Sequence, residues 1–534
     1  MKFKYLLIIV FFIGVKSFSQ ENKNILFTIN NEPYYSEEFL TIYKKNLQIN
    51  TTTKTNFDGY LKLFINYKLK VKEARFLRID TLPKFKKELK QYKENLIKPY
   101  LKDNVVTENL VKEAYERLKK EVNVSHILVF LEPNASPKDT LKAYNKLIKA
   151  RNLVIEGADF TTIAKKYSED TTVDKDGGNV GYFTALQMVY PFEDVAYSTK
   201  IGEVSMPFKT KFGYHILKVN DIKETKGEVE VAHIMFKNDS LTNKKKIDSV
   251  YNLLIDKNVN FFDLATKVSE DKASASKGGR VRKFGTGQML PEFSKNAFSI
   301  NNENEISKPF ITQFGWHIIK LIKKHPVESF EKLKAKLTNE INKDTRSNLI
   351  GESVINKLFK QYNVIVSKEA LQQFNVENWK TNPENFNKKL LLINGKEIFQ
   401  DKFINYLKSA KYKNIISALE RFKEEEVITY FKEHIESTNS EFANMYNEFK
   451  EGLLLFDLLE TQIWEKAKDS ARLSNYFNTN KALKYNTKTF KNIKGSVISD
   501  YQNYLEEVFT SKLHEKYEVI INNSEKKSLK KIKL

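Results

Sequence analysis

The chain repeats itself once over about a hundred residues, and this duplication limits the possible architectures more than any other feature. Val124-Ser125-His126-Ile127-Leu128-Val129 returns as Val231-Ala232-His233-Ile234-Met235-Phe236, at an offset of 107. Tyr167-Ser168-Glu169-Asp170 returns as Val268-Ser269-Glu270-Asp271, and Gly177-Gly178 as Gly278-Gly279, both at 101. Gln187-Met188 and Phe192 come back as Gln288-Met289 and Phe293 at the same offset. Pro207-Phe208, Thr210, Gly213 and His215-Ile216 come back as Pro309-Phe310, Thr312, Gly315 and His317-Ile318 at 102. Landmarks kept in this order require two homologous domains in tandem, expected over 122–221 and 228–324.

Each copy reads as β-α-α-β-α-β-β. The alternating run around His126 predicts a strand, and Asp139–Glu156 an amphipathic helix. Asp159–Lys166 predicts a short helix leading into the Ser-Glu-Asp loop. The Gly-Gly pair permits positive φ in the turn that follows. Glu193–Ser198 predicts another short helix, and Gly213–Asn220 a closing strand. The fold class expected is α+β, with helices on one face of a small antiparallel sheet.

Composition narrows the chemistry. With 41% hydrophobic and 29% charged residues the chain has material for several cores and is not a disordered protein. Cysteine is absent, which removes disulfides, thiol nucleophiles and cysteine-ligated zinc. Among the seven histidines no carboxylate triad emerges, so the residues point to no metal, no cofactor and no hydrolase. Eighty-nine Lys and Arg against 67 Asp and Glu leave a net charge of +22. Glu accompanies Lys throughout without a basic stripe. A solvated lysine-rich surface explains the charge, and no nucleic-acid partner is expected.

The repeated motifs together resemble the parvulin (PpiC-type) peptidyl-prolyl cis/trans isomerases. The shared elements are the first-strand His-Ile-Leu, the Tyr-Ser-Glu-Asp loop, Gly-Gly-x-x-Gly-x-Phe, Gln-Met-x-x-x-Phe and Thr-x-x-Gly-Tyr/Trp-His-Ile. The resemblance implies that His126 and His215 form a pair beneath a proline pocket. It also implies that Thr210 hydrogen-bonds within that network and that Asp170 faces the substrate carbonyl. Gln187, Met188 and Phe192 are implied as substrate-binding residues, Met188 and Phe192 forming a cup for the pyrrolidine ring. The second-copy equivalents are His233, Asp271, Thr312 and His317, with Gln288, Met289 and Phe293 for substrate. A spacing of four for Met and Phe equally suits core packing, and a buried histidine pair can serve sheet geometry alone. Leu186 replaces the glycine that the family usually has before Gln-Met, whereas the second copy keeps Gly287. Arg280 and Arg282 stand where the family has an acidic or amide residue and a glycine, which would restrict the pocket, recruit acidic peptides, or mark surface drift.

Met1–Gln20 carries Lys2 and Lys4, an apolar run of about eleven residues and Ser17-Phe18-Ser19. This pattern predicts a secretory signal over 1–19, cleaved after Ser19, and an exported chain with no membrane span. The tandem pair behind such a signal resembles a SurA-type periplasmic chaperone. That resemblance implies unfolded proline-containing polypeptides, outer-membrane proteins above all, as partners.

Helical flanks are expected on both sides: a chaperone-like region over 20–121, a helical linker with a short strand over 325–389, and a helical lobe over 390–534. Tyr60–Leu77, Leu82–Tyr100 and Thr107–Lys120 predict helices, the last capped at Thr107, and so does Ser329–Tyr362, before a strand at Val364–Val366. A second, weaker echo links the flanks. Ile29-Asn30-Asn31 and Phe39 match Ile393-Asn394-Gly395 and Phe403 at 364, and Tyr92–Leu96 matches Phe449–Leu453 at 357. Lys357-Leu358 and Tyr362-x-Val364-Ile365-Val366 match Lys512-Leu513 and Tyr517-x-Val519-Ile520-Ile521 at 155. The function expected is an exported isomerase and chaperone; the alternative is a non-catalytic chaperone that uses its parvulin domains as grips.

Overall fold

The computed structural model describes residues 24–49, 56–132, 135–256, 259–375, 377–409, 414–486 and 489–531; the expected signal and its cleavage site lie outside them. Contacts divide the chain into two units, Met1–Lys98 with Lys432–Leu534, and Pro99–Phe431. Among the described residues no helix is long and apolar enough to cross a membrane.

The first unit starts from a tight hairpin, Ile25–Ile29 and Glu32–Tyr35. Asn30 and Asn31 turn it with φ of 49° and 64°, the paired left-handed conformation that favours Asn and Gly and matches strand twist. Val519–Ile521 closes the sheet from the far end of the chain, with Phe27 opposite Ile521 and Ile29 opposite Val519. Phe27, Phe39, Phe64, Leu513, Tyr517 and Leu529 form the core beneath it. The helices Pro83–Ile97 and Ser440–Leu459 stack Tyr92 on Phe449, the two residues that the echo aligns, with ring centroids 3.5 Å apart.

The second unit repeats that sheet. Lys389–Ile393 and Lys396–Phe399 form a hairpin through Asn394 and Gly395, again at positive φ, and Val364–Val366 closes it with Val364 opposite Ile393. The register equals that of the first unit. Residues 390–534 were expected to form one lobe, yet this hairpin takes its third strand from upstream and gives 519–521 to the N-terminal hairpin. Both closing strands carry a similar apolar pattern, Val-Ile-Val at 364–366 and Val-Ile-Ile at 519–521.

The two repeated domains are α+β and follow one plan. Lys120–Phe130 pairs with Asn179–Phe183 and with Gly213–Glu224, whose other edge holds Phe208–Thr210. In the second copy Glu228–Lys237 and Gly315–His325 take the central places, flanked by Phe284–Gly285 and Phe310–Thr312. Helices cover both sheet faces rather than one. Ile216 packs under Pro137–Ile155 and Phe160–Tyr167, while its neighbour Leu217 packs on the opposite side with Phe192 of Tyr190–Ser198. One further helical turn, Val173–Asp176 or Lys272–Ala275, follows the Ser-Glu-Asp loop.

The flanking helices begin and end where local chemistry dictates. Asn104–Leu118 is capped by Asp103 rather than Thr107, because the Asp103 carboxylate accepts the amides of Val105 and Val106. The stretch Ser329–Tyr362, expected to be helical, holds two helices, Phe330–Ile341 and Ser347–Gln361. The break between them carries Arg346, which is fully buried.

Candidate functional site

The central strands set the histidines. His126 lies opposite Leu217 and His215 opposite Leu128, so the two imidazoles are diagonal neighbours on one face, with ring centroids 5.7 Å apart. His233 and His317 repeat this at 5.6 Å. The second glycine of each Gly-Gly pair lets the loop reach the histidine strand: Gly178 has φ 83°, its carbonyl accepts the His126 amide, and a Cβ there would stand 2.5 Å from the His126 carbonyl. Gly279 does the same at His233.

The loop so anchored presents the carboxylate. His126 Nε2 donates to Asp170 Oδ2 at 2.9 Å, and His233 Nε2 to Asp271 Oδ2 at 2.8 Å, since an ionised carboxylate only accepts. On the other side, Thr210 Oγ1 accepts the Phe212 amide and spends its one proton on His215 Nε2 at 2.8 Å. Thr312 treats Phe314 and His317 alike. Since His233 Nε2 carries the proton given to Asp271, its Nδ1 accepts, and the contact with His317 Nδ1 places the His317 proton on that atom.

Burial decides the charge. It pushes His215 down to about 3, and His317 down to about 4, with the adjacent histidine adding to the effect. Burial also lowers His126 and His233, outweighing the attraction of Asp170 and Asp271. For Asp170, burial pulls upward but loses to the Thr172 amide, His126 and the Thr172 hydroxyl, so the carboxyl stays below its usual range. Asp271 is held down likewise by Ser274, His233 and the Ala273 amide against burial. Four neutral imidazoles and two ionised, part-exposed carboxylates result.

An apolar cup lies over each pair. Phe192 sets its edge toward both His126 and His215, with centroids 5.7 Å from each. Half-buried Met188 and Phe208 pack on the same cluster as Phe192. Phe293, Met289 and Phe310 repeat the arrangement. Phe208 and Phe310, absent from the sequence-derived site, stack on His215 and His317 at 5.5 Å. Their place in the repeat, one residue after Pro207 and Pro309, was the available signal. Gln187 and Gln288 are not arranged like the cup residues. Gln187 accepts the Thr184 amide and donates to the Thr286 carbonyl of the other copy, and Gln288 accepts the Gly285 amide. Short polar turns need such a partner, and these amides serve them.

The departures from the motif also find places. Leu186 holds φ 68°, a left-handed value that Gly287 matches at 76°. Its amide donates to Glu193, and its side chain packs against a cluster containing Leu110, Val111 and Leu337. Fully buried Glu193 also pairs with Arg117 and Arg346, tying the cup helix to the flanking helices. Arg280 lies over the Phe262 ring and pairs with Glu230. Phe262 packs on the sheet face opposite Phe293 and Met289, so Arg280 turns away from the cup.

The family model for the PPIC-type PPIASE domain, rotamase, matches residues 126–221 and again 233–323. The chain carries two PpiC-type isomerase domains. Chaperone SurA of Nitrosococcus oceani is 30% identical over 228 residues, covering 41% of this chain and 53% of that protein. Chaperone SurA of Idiomarina loihiensis is 30% identical over 236 residues, covering 42% and 54%. Foldase protein PrsA 1 of Bacillus cereus is 40% identical over 165 residues, covering 30% and 53%. The chain spans about half the length of these relatives.

Proposed function

We propose that both PpiC-type domains catalyse cis/trans isomerisation of X-Pro bonds, and that the chain is an exported chaperone for unfolded envelope proteins, outer-membrane proteins among them. The observation that carries the catalytic reading is the apolar cup set over a neutral, hydrogen-bonded histidine pair with one carboxylate at its rim. Rotation about X-Pro crosses a barrier of about 18–20 kcal/mol because amide conjugation must be broken. The twisted amide carries less charge separation than the planar one, so a dry wall of Met188, Phe192 and Phe208 favours it over the ground state. Neutral imidazoles keep that wall free of charge. Asp170 and Asp271, at the edge, meet the substrate carbonyl and disfavour the planar, carbonyl-polarised form. No covalent step is needed.

Similarity to chaperones and a foldase supports the polypeptide-holding role, and the signal-like pattern of residues 1–19 supports export to the periplasm. Holding clients is assigned to the helical flanks, which are rich in aromatic residues and lysine. The test is prolyl-peptide isomerisation by the full chain carrying Asp170→Ala, Asp271→Ala, or both, with Met188→Ala and Met289→Ala as cup variants. Each single Asp variant lowers turnover and the pair abolishes most of it. Unchanged turnover in the pair would leave the domains as peptide grips.

A further inference from the structure

The two copies differ at one buried position beside the carboxylate. In the second, Ser274 is 5% exposed and its hydroxyl donates to Asp271 Oδ2 while standing 2.9 Å from His233 Nε2. Because that hydroxyl proton goes to the carboxylate, the Ser274 oxygen is left to accept from Nε2–H. The same ring proton is thus shared by two acceptors, Asp271 and Ser274. Ser274 itself is fixed through its backbone, its amide donating to the Asp271 carbonyl and its carbonyl accepting the Gly279 amide. In the first copy the corresponding residue is Val173, buried at 6% and unable to bond. There Asp170 is steadied on its other oxygen, by the amide and hydroxyl of Thr172, and only Asp170 holds His126 Nε2.

A second difference lies on the far side of the ring. His317 Nδ1 and His233 Nδ1 are 3.3 Å apart and hydrogen-bonded, so the second copy has an unbroken relay from Asp271 through His233, His317 and Thr312 to the Phe314 amide. In the first copy Nδ1 of His126 and Nδ1 of His215 are both buried with no hydrogen-bond partner. A buried ring nitrogen left unpaired is costly, and an imidazole held at one point has freedom to swing about it.

We propose that Ser274 is a positioning residue of the second copy: by gripping His233 Nε2 together with Asp271 it aims His233 Nδ1 at His317 and closes the relay, which Val173 leaves open in the first copy. This rests on the isomerase reading given above and specifies how that site is held. The consequence is an imidazole pre-set at the cup of the second copy, whereas that of the first is held by one ring bond; the two carboxylates each accept three bonds.

The test uses the full-length chain with its histidines labelled with nitrogen-15, in an Asp170→Ala background that isolates the second copy. Ser274→Val and Ser274→Ala remove the grip; Ser274→Thr retains a hydroxyl. The scalar coupling between nitrogens across the His317 Nδ1–H···Nδ1 His233 bond reports the relay directly, a signal that a merely space-filling role would not move. The coupling disappears in the Val and Ala variants and survives with Thr. Turnover on a prolyl peptide falls roughly three- to tenfold in kcat, the worth of one hydrogen bond, with KM unchanged, and returns with Thr. Coupling that persists in both Ser274→Val and Ser274→Ala, or unaltered kcat in both, overturns the proposal. Asp271→Ala in the same background separates the two readings. If it silences turnover while the Ser274 variants do not, only the role of Ser274 fails; if it leaves turnover intact, the isomerase reading of this copy fails.

Discussion

At the scale of single residues, both sites are built by taking titratable groups out of water. His215 and His317 are held neutral by burial, well below an ordinary imidazole near 6.5. An unfolded chain protonates these histidines as pH falls through about 6.5, while the folded chain does so only near 3 and 4. Between those limits the unfolded state binds more protons, so stability rises with pH. Stability from this source is complete above about 6.5 and is lost as pH falls toward about 4 for His317 and about 3 for His215. Each histidine contributes a slope of at most about 1.4 kcal/mol per pH unit. Asp170 and Asp271 add a loss of the same sign only at lower pH, below the ordinary carboxylate value. Thermal melts from pH 7.5 to 4.5 should show the domains weakening steadily, and His215→Asn with His317→Asn should flatten the slope. A melt independent of pH across this window would mean that the imidazoles are not neutral.

At the scale of elements, the cup helix of the first copy is held by charge as much as by packing. Glu193 and Arg346 are both fully buried, and Arg117 completes the set. Removing one member of such a pair strands the other away from water, so Glu193→Ala should destabilise by about 3–5 kcal/mol. Ser294, its counterpart in the second copy, has no ion partner to strand, and Ser294→Ala should change stability by less than about 1 kcal/mol. Denaturant titration of the two variants gives the comparison, and equal losses would defeat it. The sequence revealed the two copies because their backbone demands fall on residue identity. Gly178 and Gly279 must lack a Cβ, and Thr210 and Thr312 must supply a hydroxyl, so the same letters recur in the same order. It did not reveal the docking, because Glu193 and Arg346 lie far apart and a lone Glu and Arg read as surface charge. Leu186 was visible as a departure, but its reason, a neighbour cluster from 110, 111 and 337, exists only in three dimensions. Phe208 was in plain view within the repeat, yet nothing local tells a stacking partner of a histidine from a core aromatic.

At the scale of the whole molecule, the two hairpins and their two closing strands share one pattern, and chain order alone does not say which strand closes which sheet. The structure uses the last strand for the first hairpin, so the integrity of the N-terminal unit depends on the C-terminus. Val519–Ile521 contributes a ladder to Ile25–Ile29, and Leu529 beyond it is buried in the same core as Phe27 and Phe39. Deleting residues 519–534 opens the edge of that sheet and exposes side chains worth about 1.5–3 kcal/mol each when buried. The two isomerase domains keep separate cores, made of their own residues such as Ile127 and Leu147, or Ile234 and Ile247. Hydrogen exchange should therefore accelerate across Ile25–Tyr35 in the truncated chain while Lys120–Phe130 and Glu228–Lys237 remain protected. Prolyl-peptide turnover should persist, and the chain's suppression of aggregation of an unfolded β-barrel client should fall, since helices of the same unit that are assigned to holding clients pack on the opened sheet. Exchange that accelerates equally in all three strands would show that the whole chain unfolds as one. Intact protection of Ile25–Tyr35 would show instead that the first hairpin holds its ladder without Val519–Ile521.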